Sequence, residues 1–198
     1  MKTNLKNYLS IFLLALLFIT CTKDDSDISL VLPNKTQSGE QTFGFLLDDK
    51  IWINYGQVCF PFAGGCRENL QVYYFPNKNF LINADKVLYK NGSWNTKESI
   101  DIAVDELLTA KTYRSINKDK VTAFYTFEGQ GQQPKQYLPH KTRPDFSVNI
   151  TTLDSVKRTM SGEFNGTLFR VIDLSSLALS TTDSIIVKDG RFDAKLKQ

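Results

Sequence analysis

The chain has 198 residues, and its 24 lysines and arginines nearly balance 21 aspartates and glutamates, for a formal net charge of +3. A charge this close to zero gives no electrostatic footprint for nucleic acid, so we predict no nucleic-acid partner. The length is enough for one hydrophobic core, and a second domain is not expected.

The first 20 residues have the order of a bacterial lipoprotein signal. Lys2 and Lys6 precede an apolar run over residues 9–19, and Cys21 follows directly after Thr20. The run is about 11 residues long, too short for the roughly 20 that a bilayer core requires. We therefore expect cleavage before Cys21 and acylation of this residue, which would anchor the protein to a membrane through at least two acyl chains. The alternatives are an uncleaved anchor helix and an ordinary signal in which Cys21 has no role.

The residues after Cys21 predict a location and a tether. Lys23, Asp24 and Asp25 resemble the signal that Bacteroidota use to export lipoproteins to the cell surface, so we expect an outer-membrane protein that faces outward. The alternatives are that these charges only keep a tether solvated, and that the protein faces the periplasm. Residues 21–41 are mostly polar and are interpreted as a tether. Folded structure is expected from Thr42, which gives one β-rich domain over residues 42–198.

The hydrophobic periodicity of this domain is that of β-strands. Apolar residues recur at every second position, and turn residues separate the segments. The segments with strand character are 43–47, 50–53, 70–75, 80–82, 87–89, 100–104, 121–127, 146–150, 164–168, 185–187 and the residues around Phe192. Turns are expected at Asp48-Asp49, Asn91-Gly92, Asp154-Ser155 and Asp189-Gly190. We therefore predict an all-β chain, an antiparallel β-sandwich or barrel-like single domain.

One stretch lacks a strand pattern. Residues 128–144 are rich in Gln, Gly and Pro, and an irregular segment of about 17 residues is uncommon in a compact domain unless it is functional or disordered. A functional interpretation makes it a recognition loop that presents Tyr137, His140 and Arg143. The alternative is a surface excursion without a binding role.

The two cysteines that follow Cys21 predict a disulfide. Cys59 and Cys66 belong to a chain with an export signal, and exported proteins meet an oxidising environment. A tetrahedral metal site is a poor alternative because the chain has one histidine, so no metal or other cofactor is predicted. Phe60 and Phe62 lie inside the short loop between the cysteines. An exposed phenylalanine there would mark a contact site.

The sequence contains no strong signature of an active site. His140 is the only histidine, and no Gly-x-Ser-x-Gly elbow accompanies it. Asp101, Asp105 and Glu106 are candidates for the carboxylate pair of a glycan-directed hydrolase. A chain with 21 acidic residues always offers such candidates, so we predict a protein without catalytic activity and keep the hydrolase as the alternative.

Motifs at both ends of the predicted domain resemble a known family. The first group is Leu32-Pro33-x-x-Thr36-Gln37-x-Gly39-x-x-Thr42-Phe43-Gly44, followed by Asp49-Lys50-x-Trp52. The second group is Ser161-Gly162-x-Phe164, followed by Asp189-Gly190-Arg191-Phe192-Asp193. Both are similar to motifs of a family of Bacteroidota lipoproteins of unknown function, in which position 41 is usually Asn and position 49 usually Gly. The resemblance implies a secreted lipoprotein and supplies no catalytic residues.

Taken together, these features predict a lipid-anchored, surface-exposed protein of the outer membrane. We expect a non-catalytic binding or structural module whose partner is a glycan or an outer-membrane protein. The expected binding surface combines residues 128–144 with the loop between Cys59 and Cys66, because loops on a rigid sheet commonly carry recognition.

Overall fold

The computed structural model of the chain describes residues 30–56, 58–60, 65–77, 79–90, 93–106, 109–115, 121–140 and 146–197. Within these ranges the chain forms strands and no helix, so the all-β prediction is confirmed. The strands are β1 (Thr42–Leu47), β2 (Lys50–Ile53), β3 (Val58–Phe60), β4 (Gly65–Arg67), β5 (Leu70–Tyr74), β6 (Phe80–Lys90), β7 (Ser93–Val104), β8 (Thr112–Arg114), β9 (Val121–Gly129), β10 (Lys135–Pro139), β11 (Ser147–Asp154), β12 (Thr159–Asp173) and β13 (Ala178–Lys195).

Eleven of these strands form one curled antiparallel sheet that makes a half-barrel. Its main path runs β2-β1-β13-β12-β10-β9-β7-β6-β5, while β11 pairs with the first part of β12 and β8 pairs with β11. The β3 and β4 strands form a separate hairpin. The sheet curls far enough for its edges to touch: Tyr55, just after β2, exchanges backbone hydrogen bonds with Asp85 and Val87 of β6. Curling of this kind limits the length of exposed strand edge.

The concave side of the sheet holds the hydrophobic core. Every second residue of β7 faces it, so Ile100, Ile102 and Val104 are fully buried. Aromatic rings from several strands fill the space inside the curled sheet. The largest buried side chains among the described residues are Trp52, Phe43, Phe45, Phe80, Phe146 and Phe164. Phe192, which like Phe164 belongs to the second motif group, stacks on Phe80 with ring centroids 5.8 Å apart.

The first hairpin forms as predicted. Asp48 and Asp49 connect β1 to β2 with φ angles of 46° and 64°. Two successive residues in the left-handed region are typical of a type I′ turn, whose twist matches that of the flanking strands.

Two predictions about local structure are wrong. Asp189-Gly190 does not form a turn, because β13 continues through it. Instead, the pairing of β13 with β12 shifts register at this point, between Phe164 and Gly166 of β12. Residues 128–144 are not one irregular loop, because β9 extends to Gly129 and β10 pairs with both β9 and β12. In each case pairing with a distant strand overrides local turn chemistry.

Residues 33–41, predicted to belong to the tether, are fixed to the sheet. Arg191 and Lys195 bond to Pro33 and Gln41 at the ends of the segment, and the buried carboxylate of Asp193 in β13 holds residues 36–40 between them. It accepts hydrogen bonds from the hydroxyls of Thr36 and Ser161, both at 2.7 Å, and from the backbone N–H groups of Ser38, Gly39 and Glu40 at 3.0, 2.8 and 3.2 Å. Ordered structure therefore starts before Thr42. The two motif groups of the sequence meet at this carboxylate.

Candidate functional site

A cleft of about 720 Å³ opens at one end of the sheet. It lies where β7 and β10 end, where β9 starts, and beside the turn between β12 and β13. Its described lining is Asp105, Ser115, Val121, Thr122, Leu138, Pro139, His140, Ser176, Leu177 and Leu179. Half of these residues are aliphatic. This volume and this apolar lining with a few polar groups are typical of binding sites.

The turn between β12 and β13 exposes large apolar side chains. Leu174 and Leu177 are 65% and 59% exposed, and Ile172 at the end of β12 is 67% exposed. Leu177 also lines the cleft, so the cleft and the turn share one apolar surface. We call residues 174–177 the leucine turn. Exposed apolar surface that continues into a concavity is typical of contact sites.

Hydrogen bonds to Asp173 hold the leucine turn in shape. Its carboxylate accepts bonds from the backbone N–H and the hydroxyl of Ser175, at 2.9 and 2.8 Å, and from the hydroxyl of Ser176 at 2.6 Å. These bonds favour the ionised form, and they lower the pKa of Asp173 below its usual value. Leu177 has a φ of 52°, a region that a leucine rarely adopts. The turn is therefore a defined structure that presents leucines to the solvent.

His140 lines the cleft just after β10. Its ring meets Phe169 of β12 edge-on, with centroids 5.6 Å apart and an angle of 71° between the planes. Phe169 pairs in register with Leu138, which also lines the cleft. His140 and Asp105 are the only ionisable groups in the described lining. The cleft therefore combines apolar walls with one imidazole and one carboxylate.

The sequence prediction placed Tyr137 in a recognition loop, and this is wrong. Tyr137 lies in β10, is 7% exposed and packs 6.0 Å from the ring of Tyr125 in the core. Burial, and then the nearby Asp183 carboxylate, raise the pKa of Tyr137 above its usual value. Its neighbours Leu138 and Pro139 face the cleft instead. Strand alternation turns Leu138 to the opposite face from Tyr137. Pro139 lines the cleft because β10 ends there.

The other predicted site residues are only partly described. Cys21, Phe62 and Arg143 lie outside the described residues, as do the side chains of Cys59 and Phe60. The backbone register of the β3–β4 hairpin places Cys59 directly opposite Cys66. Directly opposed residues of antiparallel strands have Cα atoms about 4.5–5.5 Å apart, within the range that a disulfide spans.

The acidic candidates do not gather in the cleft. Asp105 lines it, whereas Asp101 lies on β7 and accepts a hydrogen bond of 2.6 Å from the Asn83 side chain. The backbone N–H of Glu106 bonds to the Asn79 side chain outside the cleft lining. Asp105 is the one carboxylate in the lining as far as the chain is described. The paired geometry of a glycoside hydrolase is therefore absent from that part of the lining.

A buried polar cluster inside the sheet was missed by the sequence analysis. Glu98 accepts hydrogen bonds from the indole N–H of Trp52 at 2.7 Å and the hydroxyl of Tyr125 at 2.6 Å, and it pairs with Lys86 at 3.2 Å. Burial, and then the Glu98 carboxylate, raise the pKa of Tyr125. Strand alternation in the sequence could have revealed the cluster, because Glu98 lies on the same face of β7 as Ile100 and Ile102. All four members are buried, so we assign the cluster to the interior of the fold and not to a binding site.

Nearby, Asp85 of β6 is also buried and is paired with Arg67 at 2.7 Å. Burial raises the pKa of Asp85, and the Arg67 guanidinium opposes that effect only in part. Arg67 belongs to β4, so this ion pair connects the small hairpin to the main sheet.

The described residues contain no group of three or more His, Cys, Asp or Glu side chains placed to hold a metal ion. In the same residues, no helix is long and apolar enough to cross a membrane. Comparison with known proteins gives no match to any family model, curated protein or solved structure.

Proposed function

We propose that this chain is a lipid-anchored binding module on the outer face of the outer membrane. The cleft and the leucine turn would receive an apolar segment of another outer-membrane protein. The observation that carries this proposal is the continuity between the apolar cleft and the exposed leucines of an ordered turn. The lipoprotein signal ending at Cys21 and the charged residues after it support the location. The family resemblance agrees with it.

The position of the docked N-terminal segment supports this arrangement. Asp193 and Ser161, which hold the segment, lie at one end of the β12–β13 hairpin, and the leucine turn lies at the other. Twelve residues separate Ser161 from Asp173 on β12, and 15 separate Ala178 from Asp193 on β13. At roughly 3.3 Å per residue, the β12 separation is up to about 40 Å of strand. The leucine turn therefore lies at the opposite end of the hairpin from the place where the N-terminal segment joins the sheet.

The predicted disulfide belongs to the same proposal. The opposed register of Cys59 and Cys66 supports a bridge that closes the β3–β4 hairpin. Thiol titration of the denatured, unreduced protein is expected to find neither cysteine free. Two titratable thiols would contradict the bridge.

Co-purification from the native envelope tests the binding proposal. The test variants are Leu174→Ser and Leu177→Asn, because asparagine tolerates the left-handed backbone at position 177. The control is Val156→Ser, which removes an apolar side chain that is 91% exposed on the β11–β12 turn. We expect one outer-membrane protein to be retained by the wild type and by the control, and lost from both leucine variants. Retention of the same protein by all variants would contradict the proposal.

The hydrolase alternative has its own test. A hydrolase would turn over a polysaccharide, and replacing Asp105 by Asn would abolish that turnover because Asp105 is the carboxylate of the described cleft lining. The binding proposal predicts no turnover by either protein. Mass spectrometry of the mature N-terminus tests the anchor, since an unmodified Cys21 or a retained Met1 would contradict it.

A further inference from the structure

The β5 edge of the sheet carries a pair of aromatic rings on its convex face. Leu70 and Val72 of β5 are buried, so alternation directs Gln71 and Tyr73 to the opposite face. The rings of Tyr73 and Phe75 lie nearly parallel, with centroids 5.9 Å apart and 14° between their planes. Phe75 is 40% exposed, and its backbone N–H donates to the carbonyl of Asn79 at 2.8 Å. This hydrogen bond fixes the main chain at Phe75.

Hydrogen-bonding side chains lie beside these rings in strand register. Gln71 of β5 pairs with Asn83 of β6, and Asn83 pairs with Asp101 of β7. Adjacent strands are about 4.8 Å apart, so the three side chains cover roughly 10 Å across the sheet. The Asn83 amide donates to Asp101 at 2.6 Å, and the Tyr73 hydroxyl donates to Gln71 at 3.0 Å. We call these five residues the aromatic strip: Gln71, Tyr73, Phe75, Asn83 and Asp101.

The chemistry of the strip matches a sugar. One face of a pyranose ring presents C–H groups, which pack on the electron-rich face of an aromatic ring. Its hydroxyls both donate and accept, which matches the amides of Gln71 and Asn83 and the carboxylate of Asp101. Asp101 is the only charged member, and the Asn83 amide already bonds to it. A neutral ligand therefore suits the strip better than an acidic one.

We propose that the aromatic strip is a binding site for neutral polysaccharide. The site shares no residue with the cleft and does not depend on the partner proposed for the leucine turn. Four of its five residues lie on paired strands, which fixes the spacing of their side chains before any ligand binds, and Phe75 directly follows β5.

Affinity electrophoresis of the full-length protein in non-denaturing detergent tests this proposal. Gels are cast with xylan, galactomannan, mixed-linkage β-glucan or starch, and with polygalacturonate as the acidic comparison. We expect at least one neutral polysaccharide to slow the wild type. Phe75→Ala and Gln71→Ala should each weaken that interaction by roughly tenfold, as loss of one stacking or hydrogen-bonding contact implies.

Trp94→Ala is the matched control. Trp94 is an aromatic residue of β7 with a similar exposure, 42%. Tyr73 is in register, through Leu81, with Ala103 of β7, and Trp94 lies nine residues before Ala103, about 30 Å along the strand. Its replacement should leave the retardation unchanged. The proposal is overturned if no neutral polysaccharide slows the wild type, if only polygalacturonate does, or if Phe75→Ala behaves like Trp94→Ala. Because Phe75 is exposed, its variant is expected to unfold at the wild-type temperature.

Discussion

At the scale of single residues, Asp193 connects the two ends of the domain. Burial raises the pKa of its carboxyl group, but hydrogen bonds from Ser161, Thr36 and the backbone outweigh that effect, so the net pKa is lowered. The folded protein therefore favours the ionised form more strongly than the unfolded chain does. The stability that results is fully present above the unfolded pKa of about 3.9 and is lost as the pH falls through the folded pKa.

Asp193→Asn is expected to destabilise the protein at neutral pH. The amide retains one acceptor oxygen and turns an NH₂ group toward donors, so we expect a loss of about 2–4 kcal/mol in the free energy of unfolding. Urea unfolding at pH 7 and pH 3 measures the effect. The difference between wild type and variant should shrink at pH 3.

Asp189→Asn is the control for that experiment, because it removes an exposed carboxylate from the same strand. It should have little effect at either pH. An Asp193→Asn variant with the same pH dependence as the wild type would refute the role of the Asp193 carboxylate.

Gln41 and Asp49, where the sequence differs from the motifs it resembles, both have an unusual backbone. Gln41 and Asp49 have φ angles of 58° and 64°, in the left-handed region where Asn and Gly are favoured. Asn and Gly are also the residues usual at these positions in the motifs that the sequence resembles. The Asp49 carboxylate pairs with Lys188 at 2.8 Å, and this bond raises the pKa of Lys188, but the pair is exposed to solvent.

Asp49→Gly is therefore expected to stabilise the protein slightly. Glycine adopts the left-handed backbone of the β1–β2 turn without the strain that aspartate has there. This gain should outweigh the loss of a surface ion pair, so we expect the free energy of unfolding to rise by about 0.5 kcal/mol. Thermal unfolding of variant and wild type measures the change. A clear decrease in the unfolding temperature would show that the ion pair with Lys188 contributes more than the backbone does.

At the scale of elements, the alternating strands were predictable and the strands with unusual composition were not. The β7 segment follows its periodicity, because its inward residues form the core. The β10 strand contains Lys135, Gln136 and Pro139, which read as loop residues, and it is a strand because it pairs with β9 and β12. The cleft was beyond sequence reasoning, because its lining comes from segments that only the folded sheet brings together.

The Asp189-Gly190 pair is compatible with two local structures, a hairpin turn and a bulge within a strand. The residues that favour a hairpin turn also favour a bulge inside a strand. Here Gly190 lies against Phe164, and a Cβ atom at that position would come within 2.5 Å of the Phe164 ring. The choice between turn and bulge therefore depends on a residue of the neighbouring strand.

Gly190→Ala should destabilise the β12–β13 hairpin. The added methyl group would collide with the backbone carbonyl and the buried ring of Phe164. Overpacking of this kind costs about 1–3 kcal/mol. Gly65→Ala is the matched control, because a Cβ at Gly65 meets no atom within 4 Å. Chemical unfolding of both variants measures the difference, and equal stabilities would contradict the close packing of Gly190 on Phe164.

At the scale of the whole molecule, the fold places the docked N-terminal segment and the proposed binding surface at opposite ends of one hairpin. The docked N-terminal segment occupies one end of the β12–β13 hairpin, and the leucine turn and cleft occupy the other. Backbone hydrogen bonds join Tyr55 to β6 and Lys197 to Val72 of β5, and these bonds close the curled sheet. This arrangement suits a module that is anchored at one place and binds a partner at another.

Site-specific photocrosslinking in native cells tests this account most directly. A photoreactive amino acid is placed at Leu174 in the leucine turn, and in a control protein at Val156 in the β11–β12 turn, because both side chains are exposed and apolar. The account predicts that Leu174 crosslinks to one outer-membrane protein and that Val156 does not. Absence of a crosslink at Leu174, or the same crosslinked product from both positions, would contradict the assignment of the leucine turn as the binding surface.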